Sequence, residues 1–429
     1  MQLYEHQIKA LQETENCENV AYYLDMGLGK TFVGSEKMMQ YRNNVNLIIC
    51  QKSKVNDWVN HFRMNYQQCC VPMNIFDLTK KKELDYFFQA IQMDTHNVAV
   101  INYELAWRRK DLLKLKDFTL MLDESSLIQN KSAKQTKFIL SLKPRNVILL
   151  SGTPTSGKYE NLWTQAHLLG WNISEDLYNK QYVNWKIVES DGFFHKIVDM
   201  DDPYKNVERL KQKLRNYGAV FMKTEEVFSL PEQTFTTIHC KTTKEYRKFV
   251  KSGYVQLKDG TELIGDQIFK QRLYSRQLCG MYNQDKLDAF RELIQSTNDR
   301  VIVFYNFTAE LVELEAILND LGRPFSLITG SCKRLDEYEQ CDDSVTLIQY
   351  QAGAMGLNLQ KANKMIYFTL PERSELFEQS KARIHRIGQN RPCFYWILQC
   401  DNSVEEQIYD TLQMRKDFTD DLFSSEVMK

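Results

Sequence analysis

Residues Asp25 to Thr31 read D-M-G-L-G-K-T, and two glycines one residue apart followed by Lys-Thr suit the holding of phosphate. Gly27 and Gly29 leave room for backbone N–H groups to close around phosphate oxygens. Lys30 can place a point charge on β- and γ-phosphates, and the Thr31 hydroxyl can ligate magnesium. Such a loop works between a strand and a helix N-terminus. The apolar run Val20-Ala21-Tyr22-Tyr23-Leu24 before it and the helical pattern after it supply both. The full eight-residue pattern places a glycine where this chain has Leu24. Read alone, the loop also fits a tight strand-to-helix turn with a solvated lysine.

Hydrolysis of a nucleotide needs a carboxylate on magnesium and another to orient the attacking water, both at a strand end beside the phosphate loop. Met121-Leu122-Asp123-Glu124 offers an apolar run ending in two adjacent carboxylates, with Asp123 suited to the magnesium shell and Glu124 to water activation. Ser151-Gly152-Thr153-Pro154 follows the run Val147 to Leu150 and reads as a turn of small hydroxyl residues at another strand end. Beside a phosphate site it could sense the γ-phosphate and relay its state. Arg383 and Arg386, in Q-S-K-A-R-I-H-R-I-G-Q from Gln379 to Gln389, stand three apart and share a face if that stretch is helical. Planar guanidinium groups suit charge developing on a transferring phosphoryl group; the same spacing is common on solvated helices.

These residues need a scaffold, and the pattern of apolar runs describes one. Short β-rich runs at Leu47–Cys50, Val98–Ile101, Leu120–Leu122 and Val147–Leu150 alternate with helical patterns, which indicates a parallel sheet covered by helices. The alternation returns at Val301–Tyr305, Phe325–Ile328, Thr346–Ile348 and Met365–Phe368, a second α/β unit. From about Asn161 to Asn216 aromatic and charged residues mix without strand patterning, which reads as helices and loops decorating the first unit. A chain of 429 residues exceeds one ordinary core. With 43% hydrophobic and 26% charged residues its composition is that of a soluble globular protein. The formal net charge of -1 confines any nucleic-acid surface to a local patch. The ten cysteines include no C-x-x-C pair and read as thiols of a reducing compartment. No apolar run approaches a membrane span, so a cytoplasmic location is expected, with no membrane partner.

Taken together, these motifs resemble the superfamily-two helicases, and specifically the Swi/Snf-like DNA-dependent ATPases, in a compact form of viral or bacterial type. D-M-G-L-G-K-T looks like the family's phosphate loop, with Leu24 where an acidic residue is usual. Leu47 to Trp58, L-I-I-C-Q-K-S-K-V-N-D-W, is similar to the next motif, and Val100-Ile101-Asn102-Tyr103-Glu104 to the one after. Asp123-Glu124-Ser125-Ser126 takes the place of the family's acidic box. Met222-Lys223-Thr224-Glu225-Glu226-Val227 with Leu230-Pro231 looks like the joint between lobes, and R-I-H-R-I-G-Q is close to the last motif.

The resemblance implies an α/β protein of two tandem RecA-like lobes, each a parallel sheet flanked by helices. The N-terminal lobe would cover residues 1–221, with a small helical insertion at about 155–220, and the C-terminal lobe 222–429. ATP would bind with magnesium held by Thr31 and Asp123, partly through water. The backbone of Met26, Gly27, Leu28, Gly29, Lys30 and Thr31 would bind phosphate, and Gln7 would contact adenine. Lys30, Asp123, Glu124, Arg383 and Arg386 would carry catalysis, Gly356 and Asn358 would add nucleotide contacts, and Ser151, Gly152 and Thr153 would couple hydrolysis to movement. The motif from Gln349 to Leu359 departs from the family by placing Tyr350 and Gln351 where a hydroxyl and an arginine are usual. The expected activity is ATP-driven translocation of a monomer along double-stranded DNA, with a recruiting protein as a further partner. Lys52, Lys54, Lys80-Lys81-Lys82 and Arg108-Arg109-Lys110 are candidates for phosphate contacts. The competing readings are a strand-separating DNA or RNA helicase and a catalytically silent nucleotide-binding scaffold.

Overall fold

The computed structural model describes residues 2–67, 72–93, 95–190, 192–353 and 357–423. The chain forms two compact units that divide between Val227 and Phe228, and the chain from Asp417 onward is grouped with the first. The sequence-based division kept that tail in the second unit. Its place follows from side chains that need it. The Tyr159 hydroxyl donates to Phe418 O at 2.7 Å, and Lys211, almost wholly buried, donates to Glu208 and to Asp421, each at 2.7 Å. Leu422 and Phe423 complete the first core.

In the first unit the strands are β1 (Asn19–Leu24), β2 (Val45–Cys50), β3 (Met73–Asp77), β4 (His96–Asn102), β5 (Phe118–Asp123), β6 (Asn146–Leu150), the pair β7 (Trp185–Ser190) and β8 (Phe193–Val198), and β9 (Ala219–Met222). Seven of them form one parallel sheet in the order β3-β4-β2-β5-β6-β1-β9. Helices cover both faces, so successive residues of a strand are all buried, as in Val20 to Leu24 and Leu120 to Leu122. That double burial produces unbroken apolar runs instead of alternation. The amino edge of the sheet is tied by polar side chains: Asn43 Nδ2 donates to Thr119 Oγ1 and to Asn146 Oδ1, both at 2.9 Å. The carboxyl edge carries the motifs.

The stretch after Asn161 holds helices Trp163–Leu168, Glu175–Tyr182 and Val207–Asn216, but it also contains the antiparallel hairpin β7–β8, which corrects the expectation of helices and loops without strands. The hairpin pairs only with itself, and Ile187, Phe193 and Phe194 are exposed. With neither face buried, no inside-outside alternation marked it.

The second unit contains β10 (Gln233–Cys240), the hairpin β11 (Tyr254–Gln256) and β12 (Glu262–Ile264), β13 (Val301–Tyr305), β14 (Phe325–Ile328), β15 (Lys333–Arg334), β16 (Val345–Gln349), β17 (Lys364–Tyr367) and β18 (Cys393–Cys400). Its sheet order is β10-β18-β17-β13-β16-β14-β15, parallel except for β15 at the edge. Residues of β13 alternate between two cores: Ile302 and Phe304 pack on one face, and Val301, Val303 and Tyr305 on the other. Near the end of β18, the buried Lys286 ammonium donates to Glu405 at 2.6 Å beside the thiols of Cys279 and Cys400. The cation compensating that buried carboxylate is therefore the protein's own. Among the described residues no helix is long and apolar enough to cross a membrane.

Candidate functional site

The phosphate loop leaves β1 at Leu24 and enters the helix Lys30–Gln40. Gly29 caps that helix at φ 74°, and a Cβ there would lie 2.3 Å from Gln7 Nε2. The left-handed conformation favours glycine, and a side chain there would displace the end of Gln7. Gln7 donates to Leu28 O at 3.2 Å, with His6 Nε2 3.0 Å from the same carbonyl. Gln7 is thus a brace of the loop. Lys30 Nζ donates to Leu24 O at 2.8 Å and to Asp25 O at 3.2 Å, curling over the loop's own carbonyls. The N–H groups at the start of a helix have no intrahelical acceptor, and Lys30 and Thr31 are the first two residues of this one.

The other first-unit motifs meet the loop at the carboxyl edge. Asp123 ends β5, and Glu124 turns the chain at φ 56°, ψ 61°, a left-handed conformation uncommon for a residue with a side chain. Three side chains from other segments hold this turn. Trp58 Nε1 donates to Asp123 Oδ2 at 2.8 Å. The Tyr103 hydroxyl lies 3.0 Å from Asp123 O and 3.4 Å from Glu124 O. Gln165 Oε1 accepts from Ser125 Oγ at 2.7 Å and from the Tyr23 hydroxyl at 3.1 Å, while its Nε2 donates to Pro154 O at 2.7 Å. Burial raises the Asp123 carboxyl above its ordinary value, opposed by the Trp58 N–H and by the Lys54 and Lys30 ammonium groups.

Ser151 follows β6, and its Oγ accepts from Thr153 N at 3.1 Å. The buried Thr153 hydroxyl has no hydrogen-bond partner among the described residues. A Cβ on Gly152 would stand 3.2 Å from Lys30 Nζ, so this turn is in reach of the loop's charge and stays small for that reason. The joint motif also reaches the loop: Thr224 Oγ1 lies 3.0 Å from Asp25 Oδ2. The structure thus brings together Gln7, Met26 to Thr31, Asp123, Glu124 and Ser151 to Thr153. Sequence reasoning gave no role to Trp58, Tyr103, Thr224 or Gln165. The first three stand inside the quoted motifs, where a donor side chain was the available signal; Gln165 carried none.

In the second unit the helix Ser374–Lys381 ends before Arg383. The condition for a shared helix face of Arg383 and Arg386 is therefore not met: Arg383 lies in a turn and Arg386 in a bend. Side-chain and backbone bonds replace the helix. Gln389 Nε2 lies within 3.2 Å of the carbonyls of Gln360, Ala362 and Ile384, His385 Nε2 is 2.8 Å from Pro231 O, and Gly388 turns at φ 95°. Arg383 is buried, and burial pulls the half-buried Arg386 below its ordinary pKa. Arg386 Nη1 donates weakly to Leu357 O at 3.4 Å and Leu359 N to Arg383 O at 3.1 Å, so the last motif is joined to the segment carrying Asn358, which is exposed. Gly356 lies outside the described residues. Tyr350 faces the core against Phe304, ring centroids 5.0 Å apart, which explains its departure from the family pattern as packing.

The basic candidates follow the carboxyl ends of strands. Lys52 and Lys54 follow β2, Lys80 to Lys82 follow β3, and Arg108 to Lys110 come after β4. Lys54 pairs with Asp57 at 3.0 Å, and Arg109 donates to Thr79 O at 3.4 Å; Lys52 and Arg108 are exposed.

A parallel α/β unit with a phosphate loop, an adjacent Asp-Glu turn at its carboxyl edge and a second sheet bearing paired arginines defines the helicase class of nucleotide hydrolases. Within it the chain belongs to the SNF2-related family: the SNF2-related domain matches residues 11–286, and the helicase conserved C-terminal domain matches residues 285–388. It is 25% identical over 447 residues to the mouse SWI/SNF-related matrix-associated actin-dependent regulator of chromatin subfamily A member 1, covering 94% of this chain and 41% of that protein. It is 23% identical over 438 residues to the ISWI chromatin-remodeling complex ATPase ISW1 of Saccharomyces cerevisiae, covering 92% of this chain and 38% of the yeast protein. The chain therefore spans about two fifths of the length of these relatives. A solved Sulfolobus solfataricus SWI2/SNF2 ATPase core in complex with double-stranded DNA is 18% identical, with a TM-score of 0.45 over 99% of this chain and 94% of that one.

Proposed function

We propose that this chain is an ATP-driven translocase on double-stranded DNA, acting to remodel protein–DNA complexes or branched DNA. The observation that carries this reading is the convergence of Lys30, Asp123, Glu124 and Ser151 to Thr153 at one sheet edge in a chain matched by the SNF2-related domain and the helicase conserved C-terminal domain. Lys30 and the loop N–H groups bind the β- and γ-phosphates, and Gln7 braces the loop on the adenine side. Thr31 and Asp123 suit magnesium through a hydroxyl and a carboxylate oxygen, and the group, when bound, offsets phosphate charge. Glu124 orients the attacking water and accepts its proton. Arg383 and Arg386 supply positive charge to the transferring phosphoryl group, with Asn358 nearby in the joined motif.

Coupling to movement runs through Ser151 to Thr153, whose turn lies beside Lys30 and is hydrogen-bonded through Gln165 to the carboxylate turn. DNA contacts fall to phosphate-binding groups at strand ends, because a translocase must pass any sequence. The test is the rate of ATP hydrolysis against a panel of duplex DNA, single-stranded DNA and RNA. Stimulation by duplex above the other two is expected. Equal or greater stimulation by single strands or RNA would replace this reading with a strand-separating helicase, and nucleotide binding without turnover would replace it with a scaffold.

A further inference from the structure

Trp58 lies in the first half of the helix Val55–Asn65, which begins just after β2 and the Lys52–Lys54 turn. Its side chain is 2% exposed. The ring is held edge-on to His61, centroids 5.7 Å apart, and stacked on Phe62 at 6.1 Å. From that fixed position its one polar atom, Nε1, donates to Asp123 Oδ2 at 2.8 Å, across 65 residues of chain.

An indole N–H donates only; it neither accepts nor ionises near neutral pH. It therefore fixes one oxygen of the Asp123 carboxylate, Oδ2, and makes no bond to the other. The Tyr103 hydroxyl holds the main-chain oxygen of the same residue at 3.0 Å. Asp123 is thus fixed twice, by its side chain and by its backbone, through residues that follow β2 and β4. Burying an indole requires some acceptor, and a main-chain carbonyl would serve packing alone. Here the acceptor is a carboxylate assigned to magnesium.

We propose that Trp58 is a positioning residue for nucleotide hydrolysis: it sets the rotamer of Asp123 so that a single carboxylate oxygen faces magnesium, and it ties that carboxylate to the basic Lys52–Lys54 turn. The inference rests on the assignment of Asp123 made under the proposed function. Groups that orient a metal-binding side chain typically change metal affinity by about tenfold or more when lost.

The test uses the full chain with Trp58→Phe, which keeps an aromatic ring against His61 and Phe62 and removes the N–H. Binding of a fluorescent ATP analogue is measured with and without magnesium, along with the magnesium concentration that half-saturates binding and hydrolysis. The half-saturating magnesium is expected to rise about tenfold, with nucleotide binding in the absence of magnesium unchanged; the unfolding midpoint, expected to fall with the loss of the buried N–H, is followed to confirm that the variant is folded under the assay conditions. Replacing Trp58 with benzothienylalanine, which keeps the bicyclic shape without the N–H, should give the same shift and guards against loss of packing in the phenylalanine variant. An unchanged magnesium requirement in either folded variant would overturn the inference. So would an equal loss of binding with and without magnesium, because that pattern belongs to a packing role. The wild-type protein separates the two levels: nucleotide binding indifferent to magnesium would remove the Asp123 assignment itself, whereas magnesium-dependent binding unaltered by the Trp58 variants would remove only the role of Trp58.

Discussion

Thr224 Oγ1 stands 3.0 Å from Asp25 Oδ2 and 3.1 Å from Met26 O, and Thr224 N also faces Asp25 Oδ2 at 3.4 Å. The other carboxylate oxygen of Asp25 accepts from Met26 N at 2.7 Å. The first residue of the phosphate loop is therefore bonded to the segment by which the chain leaves the first unit. Replacing Thr224 with Val keeps the shape and removes the hydroxyl. ATP binding is expected to weaken about fivefold, the worth of one modest hydrogen bond, in a direct nucleotide titration; unaltered binding would show that the loop keeps its form without this tie.

Glu124→Gln removes a proton acceptor while keeping the left-handed turn and its hydrogen bonds through Tyr103 and Ser125. Turnover of ATP should fall by about 10² or more with binding of the nucleotide preserved. A single-turnover measurement beside an equilibrium titration checks both halves, and turnover near that of the wild type would move the water-activating role elsewhere.

Gln165 serves three partners from a fully buried position. Gln165→Leu leaves the hydroxyls of Ser125 and Tyr23 and the carbonyl of Pro154 without it, and should destabilise the first unit by about 2 kcal/mol. Urea unfolding followed by intrinsic fluorescence measures this. Duplex stimulation of hydrolysis should fall further than the stability loss explains, because the carboxylate turn and the Ser151–Pro154 turn then lose their shared side chain.

His61 is packed among Phe32, Trp58, Phe62 and Tyr66, and burial lowers its pKa from 6.5 to about 4. Because the unfolded chain binds the proton more tightly, the contribution of neutral His61 is complete above the ordinary histidine value. It declines as pH falls toward about 4. Stability should fall across that window, by less than the full shift implies because the ring is partly exposed, and His61→Gln should flatten this part of the profile. A variant with the wild-type slope would assign the acid loss to other groups.

The sequence revealed whatever repeats or alternates locally. The central strands are legible because both faces are buried, which writes runs such as Val301 to Tyr305 into the chain, and the loop at Asp25 to Thr31 is legible because glycine spacing and Lys-Thr sit together. Residues joined only by the fold were not. Trp58 and Asp123 meet across 65 residues, and neither neighbourhood records the other. The hairpin at Trp185 to Val198 escaped because no face of it is buried. No helix joins Arg383 and Arg386; Gln389 and His385 hold that segment by bonds to carbonyls distant in the chain, which local spacing does not record.

The grouping of the chain from Asp417 with the first unit bears on how the molecule comes into being on a ribosome. Residues up to Val227 emerge early and can build the parallel sheet, yet Tyr159 finds the carbonyl of Phe418, and Lys211 the carboxylate of Asp421, only after a further 190 or so residues have been added. The first unit is then the first to begin and the last to finish. During that interval its unfilled side, the place later taken by Phe418, Leu422 and Phe423, is an apolar surface open to chaperones. Translation speed through the second half of the message thus sets how long the early half waits to be sealed.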